Sequence, residues 1–193
     1  MVSIITPTFN AFHQLENCIN SITRQTYHHC EHIIVDGGST DGTVDILKKY
    51  QHLKWISEPD KGIYDAMNKG IKLAKGEWIY FLGGDDRLFN KNVLEKISKY
   101  LLPEYDVIYG DVISTRFGGR YDGEFSQIKL FTKNICHQAI FFRKELFEKI
   151  GYFNLEFKGQ ADWDHNMRWF LDKKIDKKYV DLVIAEYADG GTS

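Results

Sequence analysis

Trp-Ile-Tyr-Phe-Leu-Gly-Gly-Asp-Asp, at residues 78–86, is the stretch that decides the fold. Its five large apolar residues run without a break, which favours a short strand buried on both faces, as in a parallel sheet covered by helices. Gly83 and Gly84 end this strand and allow the backbone to approach a neighbouring group closely. Asp85 and Asp86 therefore follow the carboxyl end of a central strand, which is where open α/β sheets bind ligands.

The two adjacent carboxylates allow two interpretations. A hard cation such as Mg²⁺ or Mn²⁺, lying between them and a phosphate, would relieve their repulsion. Alternatively they cap the next helix, predicted over 90–101, because Asp is a favoured capping residue. This stretch alone does not decide between a metal site and a helix cap.

Size and composition limit the class of protein. The 193 residues fit one domain and can bury roughly 70% of the unfolded surface. The three cysteines are scattered and form no Cys-x-x-Cys pair, which favours a reducing compartment over a disulfide framework or a zinc site. We expect no signal peptide and no membrane span, and the net charge of −2 argues against a nucleic-acid partner. The cluster Lys173, Lys174, Lys177 and Lys178 favours a solvated loop over attraction to an anionic membrane.

Apolar and amphipathic segments alternate through the first half of the chain. Strands are predicted over 2–6 (closed by Pro7), 32–36, 53–57 and the 78–82 run, and helices over 14–24 and 61–74, the latter capped by Asp60. This alternation predicts an α/β fold with a mostly parallel, doubly wound, Rossmann-like sheet. The second half is predicted to be mixed, with strands over 106–110, 138–142 and 179–185, a hairpin of 112–117 with 123–125 across Gly118-Gly119, and helices over 144–150 and 162–171.

Candidate chemistry is concentrated in aspartates at strand ends, because the chain has no GxGxxG, P-loop or GxSxG motif. Asp36 follows the second strand before a Gly-Gly turn, where a carboxylate can accept from a base N–H or a ribose hydroxyl. It can equally hold its own loop in an Asx turn. Asp36 and the pair Asp85-Asp86 suggest one ligand across the top of the sheet, with its base at the first site and its diphosphate at the second. Lys61 and Tyr64 are candidates to help hold that ligand.

Four segments, taken in order, resemble the family 2 glycosyltransferases. They are Ser-Ile-Ile-Thr-Pro-Thr-Phe-Asn at 3–10, Val-Asp-Gly-Gly-Ser-Thr-Asp-Gly-Thr at 35–43, the stretch 58–71, and Gly-Gln-Ala-Asp-Trp-Asp at 159–164. The third resembles a subgroup that builds bacterial surface polysaccharides. The resemblance implies an inverting enzyme with the A-type nucleotide-sugar fold.

Residue roles also follow from the resemblance. Asp36 would bind the base, usually uracil, and Asp162 would be the catalytic base. Asp85 falls on the last acid of the family's Asp-x-Asp metal motif, but Gly83 stands where the first acid is usual, so Asp86 is expected to complete a Mn²⁺ or Mg²⁺ site. The expected donor-binding residues are Pro7, Thr8, Asn10, Asp36, Lys61, Tyr64, Asp65, Gly84, Asp85, Asp86 and His137.

The expected function is transfer of a sugar from a nucleoside diphosphate sugar, UDP-type favoured, to a hydroxyl of a saccharide or lipid-linked acceptor, in polysaccharide or glycolipid synthesis. Residues 1–102 would bind the donor and 103–193 the acceptor, within one domain. We expect a cytoplasmic location, with peripheral contact at the inner face of the membrane. Relatives often continue into helices that touch membrane or acceptor, so the ending at 190–193 leaves open whether a segment is missing.

Two alternatives remain at this point. The first is a catalytically impaired module that binds nucleotide sugars, which the missing first metal acid keeps open. The second is a sugar nucleotidylyltransferase, which would need a glycine-rich, basic phosphate loop near the amino terminus. Residues 7–14 contain no glycine, lysine or arginine, which counts against it.

Overall fold

A computed structural model describes residues 1–188, and the predicted ending at 190–193 lies outside the described residues. The strands are β1 (Val2–Thr8), β2 (Cys30–Asp36), β3 (Lys54–Ser57), β4 (Trp78–Phe81), β5 (Arg87–Leu88), β6 (Val107–Ser114), β7 (Gly119–Tyr121), β8 (Ile140–Arg143) and β9 (Lys177–Glu186). The helices are α1 (Leu15–Thr23), α2 (Thr43–Leu47), α3 (Ile63–Leu73), α4 (Val93–Ser98), α5 (Gln127–Thr132), α6 (Leu146–Ile150) and α7 (Ala161–Leu171). Two 3₁₀ turns cover Thr115–Phe117 and His137–Ala139.

All the described strands join one sheet in the order β3-β2-β1-β4-β8-β6-β9-β5, with β7 paired to β6. The first four strands in this order are parallel. Beyond β4 the sheet is mixed, because β8 is antiparallel to both β4 and β6 whereas β6 and β9 are parallel. The α/β fold with a mixed second half is thereby confirmed.

Helices cover both faces of the sheet. Thr6 Oγ1 lies 3.9 Å from Cys18 Sγ of α1. On the other face, α3 packs so closely that a Cβ on Gly70 would lie 2.3 Å from Ile5 Cγ2. Because neighbouring strand residues point to opposite faces, α1 and α3 sandwich β1. The apolar run of β4 and Leu82 is buried between such layers, as its sequence predicts.

Two strand predictions need correction. β1 does not close at Pro7 but continues to Thr8, and β4 pairs with it only as far as Ile5, so that Pro7 adjoins no β4 partner. The predicted strands at 106–110 and 112–117 are one strand, β6, with an irregular register against β9 around Asp111. Gly110 is required there because a Cβ would meet Leu182 O at 2.5 Å. The hairpin partner of β6 is β7, rather than 123–125.

Two helix starts also differ from the prediction. α3 begins at Ile63, after Gly62 at the N-cap with φ of 111°, and Asp60 instead accepts a hydrogen bond from the Gly62 amide in the preceding turn. α4 spans Val93–Ser98, with Asn92 at its N-cap. The interpretation of Asp85 and Asp86 as caps of this helix is therefore wrong. The remaining bounds differ from the predicted ones by a few residues, as is usual at element ends.

Candidate active site

A cleft of about 520 Å³ opens at the carboxyl ends of β1 and β4. The end of β1, the loop after β4 and the start of α3 form its walls, and His137 and Gln138 close it from the second half of the chain. The predicted site residues that it brings together are Pro7, Thr8, Asn10, Gly84, Asp85, Asp86 and His137. A second cleft of about 750 Å³ shares Asp85 and Gln14 with it and extends along Arg87 and Glu186. The strand-end loops thus form one continuous concave region around Asp85.

The two glycines after β4 are required by crowding. A Cβ on Gly84 would lie 2.7 Å from Thr8 Oγ1, and a Cβ on Gly83 would lie 2.6 Å from Asp86 Oδ2 and 3.0 Å from Asp85 Oδ1. An aspartate at position 83, where the Asp-x-Asp motif has its first acid, would crowd the Asp86 carboxylate, so that carboxylate or the loop would have to shift. Thr8 Oγ1 is buried and makes no hydrogen bond within the described residues, so a ligand group can pair with it.

Asp85 and Asp86 have different surroundings. Asp86 is buried, and it accepts hydrogen bonds from Gln138 Nε2 at 2.7 Å and from the Ala188 amide at 2.8 Å. Burial raises the pKa of Asp86 and the charge of Asp85 raises it further, although these two hydrogen bonds act in the opposite direction. Asp85 is partly exposed and accepts no hydrogen bond from residues 1–188. Asp85 is thus the carboxylate free to meet a cation.

A cation at this site would depend on the ligand for most of its coordination. Within residues 1–188 there is no cluster of three or more His, Cys, Asp or Glu side chains that could hold a metal ion. Mg²⁺ and similar ions are often bound by one or two carboxylates together with substrate phosphates. The free carboxylate of Asp85 fits that pattern as one ligand, and Asp86 can join it only through lone pairs not used by Gln138 and Ala188.

Asp36 lies at the end of β2 and does not line the cleft. Its carboxylate is fully buried and accepts from the Gly38 and Ser39 amides at 3.1 and 3.0 Å, and from Ser57 Oγ at 2.6 Å. Ser39 Oγ donates to its other oxygen. These bonds form the Asx-type turn that the Gly-Gly sequence predicts and tie the loop to β3. Contact of Asp36 with a nucleotide base stays a prediction.

The three site residues predicted around the start of α3, Lys61, Tyr64 and Asp65, have different surroundings. Lys61 is exposed, and its amide donates to Asp65 Oδ2 at 3.1 Å, so that Asp65 stabilises the start of α3. Neither side chain lines the cleft. Tyr64 turns into the core, and its hydroxyl donates to Asp162 Oδ1 at 2.9 Å. Burial and the nearby carboxylate raise the pKa of Tyr64, so it remains a neutral donor.

Asp162 sits in the first turn of α7 and contacts His137, which lines the cleft. Oδ1 accepts from Tyr64 and from the Trp163 amide, and Oδ2 accepts from Asn134 Nδ2 at 3.0 Å and lies 3.4 Å from His137 Nδ1. Burial acts to raise the pKa of Asp162. The hydrogen bond and charge of His137, with the bonds from Tyr64 and Trp163, outweigh this and hold the pKa below its usual value. Asp162 is therefore an ionised carboxylate.

Sequence reasoning missed Asn134 and underrated Gln138. Asn134 donates to Asp162 and accepts from Asn166 Nδ2 at 2.8 Å. A signal was present, since Asp162 and Asn166 are four residues apart on α7 and therefore share a face. The pattern predicts Gln138 only as the first residue of a strand, yet its side chain links the second half of the chain to Asp86.

Comparisons with known proteins agree with this geometry. A family model described as "Glycosyl transferase family 2" matches residues 3–166. A Mycobacterium bovis (strain BCG / Pasteur 1173P2) protein named "PGL/p-HBAD biosynthesis glycosyltransferase" is 42% identical over 199 residues, covering 99% of this chain and 78% of the relative. The Bacillus subtilis (strain 168) "Putative teichuronic acid biosynthesis glycosyltransferase TuaG" is 38% identical over 108 residues, covering 53% of this chain and 42% of its own.

Solved structures share the fold. The crystal structure of S. aureus TarS 1-349 in complex with UDP matches with a TM-score of 0.79 at 23% identity, over 96% of this chain and 60% of that one. The mannosyltransferase PcManGT from Pyrobaculum calidifontis, in complex with GDP-Man and Mn²⁺, matches with a TM-score of 0.75 at 19% identity, over 97% of this chain and 56% of that one. The chain thus spans about 60% of the length of the TarS structure.

Proposed function

The chain belongs to glycosyl transferase family 2, and from this membership and the cleft we propose that it transfers a sugar from a nucleoside diphosphate sugar to an acceptor hydroxyl, with inversion at the anomeric carbon. The observation that carries the proposal is the cleft itself. It joins an unpartnered hydroxyl (Thr8), a free carboxylate (Asp85) and the His137–Asp162 pair at the carboxyl edge of the sheet. Ligands of open α/β sheets bind at that edge.

We propose a UDP-type donor. TarS has been solved with UDP and with UDP-GlcNAc. In this chain the diphosphate would lie over Gly84, where the absence of a side chain leaves room beside Thr8. The base would lie toward the β2–β3 side, near the loop that Asp36 ties to β3, while Lys61, Tyr64 and Asp65 belong to the neighbouring start of α3.

A divalent cation is compatible with the carboxylate ligands that the cleft offers. Asp85 would hold Mn²⁺ or Mg²⁺ together with the donor phosphates, with Asp86 behind it, and the bound cation would neutralise charge on the leaving diphosphate. PcManGT has been solved with Mn²⁺. The chain's own residues would supply the rest: Gly83 and Gly84 leave space, Gln138 holds Asp86 in place, and Asp162 would act as the catalytic base that takes the proton from the acceptor hydroxyl.

Inversion follows from a single displacement, in which the acceptor oxygen attacks the anomeric carbon opposite the diphosphate. The transition state has oxocarbenium character, as in glycoside hydrolysis. The names of the relatives concern PGL/p-HBAD and teichuronic acid biosynthesis. We propose that this chain likewise acts on a saccharide or lipid-linked acceptor in surface polysaccharide or glycolipid synthesis, with 1–102 serving the donor and 103–193 the acceptor.

We propose a cytoplasmic location, with peripheral contact at the inner face of the membrane. The described cysteines Cys18, Cys30 and Cys136 are free thiols, consistent with a reducing compartment. Across residues 1–188, every helix is too short or too polar to cross a bilayer.

A nucleotide-sugar-binding module without turnover is the second candidate, and the single free carboxylate beside Gly83 is the observation that favours it. The two are separated by measuring nucleoside diphosphate release from a panel of UDP-sugars in the presence of Mn²⁺. Release supports the transferase. Thermal stabilisation by the donors without any release would support the binding module instead.

The same assay tests the residues. We expect Asp162→Asn to leave UDP affinity intact and to lower turnover by about 10²–10⁴-fold, the usual contribution of general-base machinery. Asp45→Asn is the matched control, because Asp45 lies on α2 with its side chain 72% exposed. Turnover of Asp162→Asn equal to that of the control would remove Asp162 from the mechanism.

A further inference from the structure

Helix α5 carries the most exposed large apolar side chain among the described residues. Ile128 is 80% exposed, and Phe131 is 58% exposed. Because residues three apart share one face of a helix, these two side chains stand together, and we call this surface the α5 face. The helix is fixed to the protein through Leu130, whose side chain is fully buried and whose carbonyl accepts from Trp163 Nε1 at 2.8 Å. The α5 face is therefore held in place while it is open to solvent.

The α5 face adjoins the chain segments that surround Asp162. Asn134 follows α5 by two residues, and its Nδ2 donates to the Asp162 carboxylate at 3.0 Å. The loop that leads into α7 adds two more exposed apolar side chains, Leu155 and Phe157. Clustered apolar surface of this kind marks an interaction site more often than single exposed residues do. Exposed apolar side chains thus lie on both segments next to the proposed catalytic base.

The charges of this region suit an anionic surface. Residues 127–134 contain Lys129 and Lys133 and no acidic residue. Lys133 is exposed and lies 3.1 Å from Asp122, which offsets part of its charge, and the exposed Lys158 follows Phe157. Lysine side chains can keep their ammonium groups in water while the apolar side chains beside them enter lipid. A short helix with an apolar face and flanking lysines is typical of an element that lies in the surface of a bilayer.

The other lysine-rich region of the chain lies at the opposite edge of the sheet. Its members directly precede or begin β9, and they are Lys173, Lys174, Lys177 and Lys178. β9 is parallel to β6, and β6 runs in the same direction as β4 because β8 is antiparallel to both. These lysines therefore lie at the amino edge of the sheet, whereas the cleft opens at the carboxyl edge. A bilayer that contacted them would face away from the cleft.

We propose that the α5 face docks on an anionic phospholipid bilayer, so that the Asp162 side of the cleft meets acceptors held in that bilayer. The assignment rests on the proposed function, in which the acceptor is lipid-linked. Ile128 and Phe131 enter the boundary between headgroups and acyl chains, while Lys133 and Lys158 remain among the phosphates. The acceptor hydroxyl then reaches the cleft while its lipid stays in the bilayer.

The test measures how much of the whole chain sediments with vesicles of phosphatidylcholine that contain about a quarter of phosphatidylglycerol. We expect the wild type to bind these vesicles, and to bind them more weakly at high salt or without the anionic lipid. The double variant Ile128→Ser/Phe131→Ser should bind about tenfold more weakly, because both apolar side chains are lost from the lipid. Lys133→Gln should weaken binding by about fivefold, the usual effect of one lysine near an anionic surface.

Matched controls come from the opposite edge of the sheet. Leu73, at the end of α3, is 43% exposed, and Leu102, before β6, is 39% exposed. The double variant Leu73→Ser/Leu102→Ser should bind vesicles as the wild type does, and so should Lys173→Gln/Lys174→Gln. Thermal unfolding of each variant checks that it is folded.

A variant that keeps an aromatic ring on α5 gives an independent readout. In Phe131→Trp, the added tryptophan fluorescence should shift to shorter wavelength when the anionic vesicles are present, because the indole leaves water. An unshifted spectrum of this variant would overturn the assignment.

Absence of wild-type binding to the anionic vesicles would overturn the proposal, and so would equal binding by the wild type and a folded Ile128→Ser/Phe131→Ser variant. A wild-type dimer that this double variant abolishes would also overturn it, because a second copy would then cover the α5 face. Nucleoside diphosphate release from UDP-sugars with Mn²⁺, measured without vesicles, tests the proposed function separately.

Discussion

Protonation of a buried histidine should make the fold sensitive to acid. His165 on α7 is fully buried, and its ring packs among Phe142, Phe147 and Phe153 at centroid distances of 5.4, 5.1 and 4.8 Å. Neither ring nitrogen makes a hydrogen bond of normal geometry within the described residues. Burial lowers the pKa of His165 to about 3, and the charge of Arg168 contributes, while the Gly151 backbone and Asp162 oppose the shift in part.

The size of the effect on the free energy of unfolding follows from the difference between the folded and unfolded pKa of His165. In the unfolded chain a histidine has a pKa near 6.5, so the folded state disfavours protonation by about 5 kcal/mol. Because the folded pKa is depressed, the stabilising contribution is complete above about pH 6.5 and is lost as the pH falls toward 3. Between neutral pH and about pH 4.5 the loss is about 3 kcal/mol.

Urea unfolding at about pH 7.5 and about pH 4.5 measures this loss. The His165→Phe variant keeps a ring in the aromatic cluster but removes the titration, so its loss of unfolding free energy between the two pH values should be smaller than that of the wild type by about 3 kcal/mol. His28→Gln is the control, because His28 is exposed, and it should behave as the wild type does. An equal loss in the wild type and in His165→Phe would refute the reasoning.

Three further changes test the site and the layer beneath it. Asp36→Ala leaves at least three donors without their acceptor, so we expect a loss of about 1–3 kcal/mol of unfolding free energy in urea titrations, and an unchanged midpoint would contradict the loop-holding role. Asp85→Ala removes a side chain without hydrogen bonds, so stability should change by less than about 0.5 kcal/mol while calorimetry shows Mn²⁺ no longer improving UDP affinity; wild-type affinity that is equal with and without Mn²⁺ would exclude the metal role. Gly70→Ala places a methyl group 2.3 Å from Ile5, so a cost of about 1–3 kcal/mol is expected, and a neutral effect would show that α3 can shift.

The first half of the fold follows from local pattern. The run at 78–82 predicts a strand buried on both faces because an uninterrupted apolar segment is stable only under cover on each side, and the structure buries all five residues. The alternation before it predicts the parallel order of β1 to β4 for the same kind of reason, since right-handed crossovers leave few alternatives.

The second half depends on contacts that no local pattern contains. Gly110 and Asp111 have the composition of a break, yet the chain continues through them as β6 because Leu182 of β9 approaches closely enough to require a glycine. The hairpin partner likewise shifted to β7, because the 3₁₀ turn at Thr115–Phe117 occupies residues that the pattern assigned to a strand.

Prediction of the site also succeeded where local pattern decides and failed where contacts between distant residues decide. The rule that ligands bind at the carboxyl ends of strands brought Thr8 and Asp85 to one cleft. His137 precedes β8 and reaches the same cleft because β8 is antiparallel to β4. The rule could not separate Asp85 from Asp86, whose partners come from Gln138 and Ala188, far along the chain. Nor could it show that Asp162 contacts His137 and Tyr64, because those contacts depend on tertiary packing at the start of α7.

The loop after β4 explains why one carboxylate there is free and its neighbour is not. A side chain at position 83 would come close to both Asp85 and Asp86, and glycine there leaves the two acids their present positions. Asp86 accepts hydrogen bonds from Gln138 and the Ala188 amide, and these bonds connect the first half of the sheet to the second. Because a single carboxylate holds a divalent cation weakly, the donor phosphates would have to provide most of the remaining ligands. We therefore expect cation and donor to bind together in this site, and the departure from the Asp-x-Asp pattern would change the order of assembly of the complex rather than the chemistry that the cation can supply.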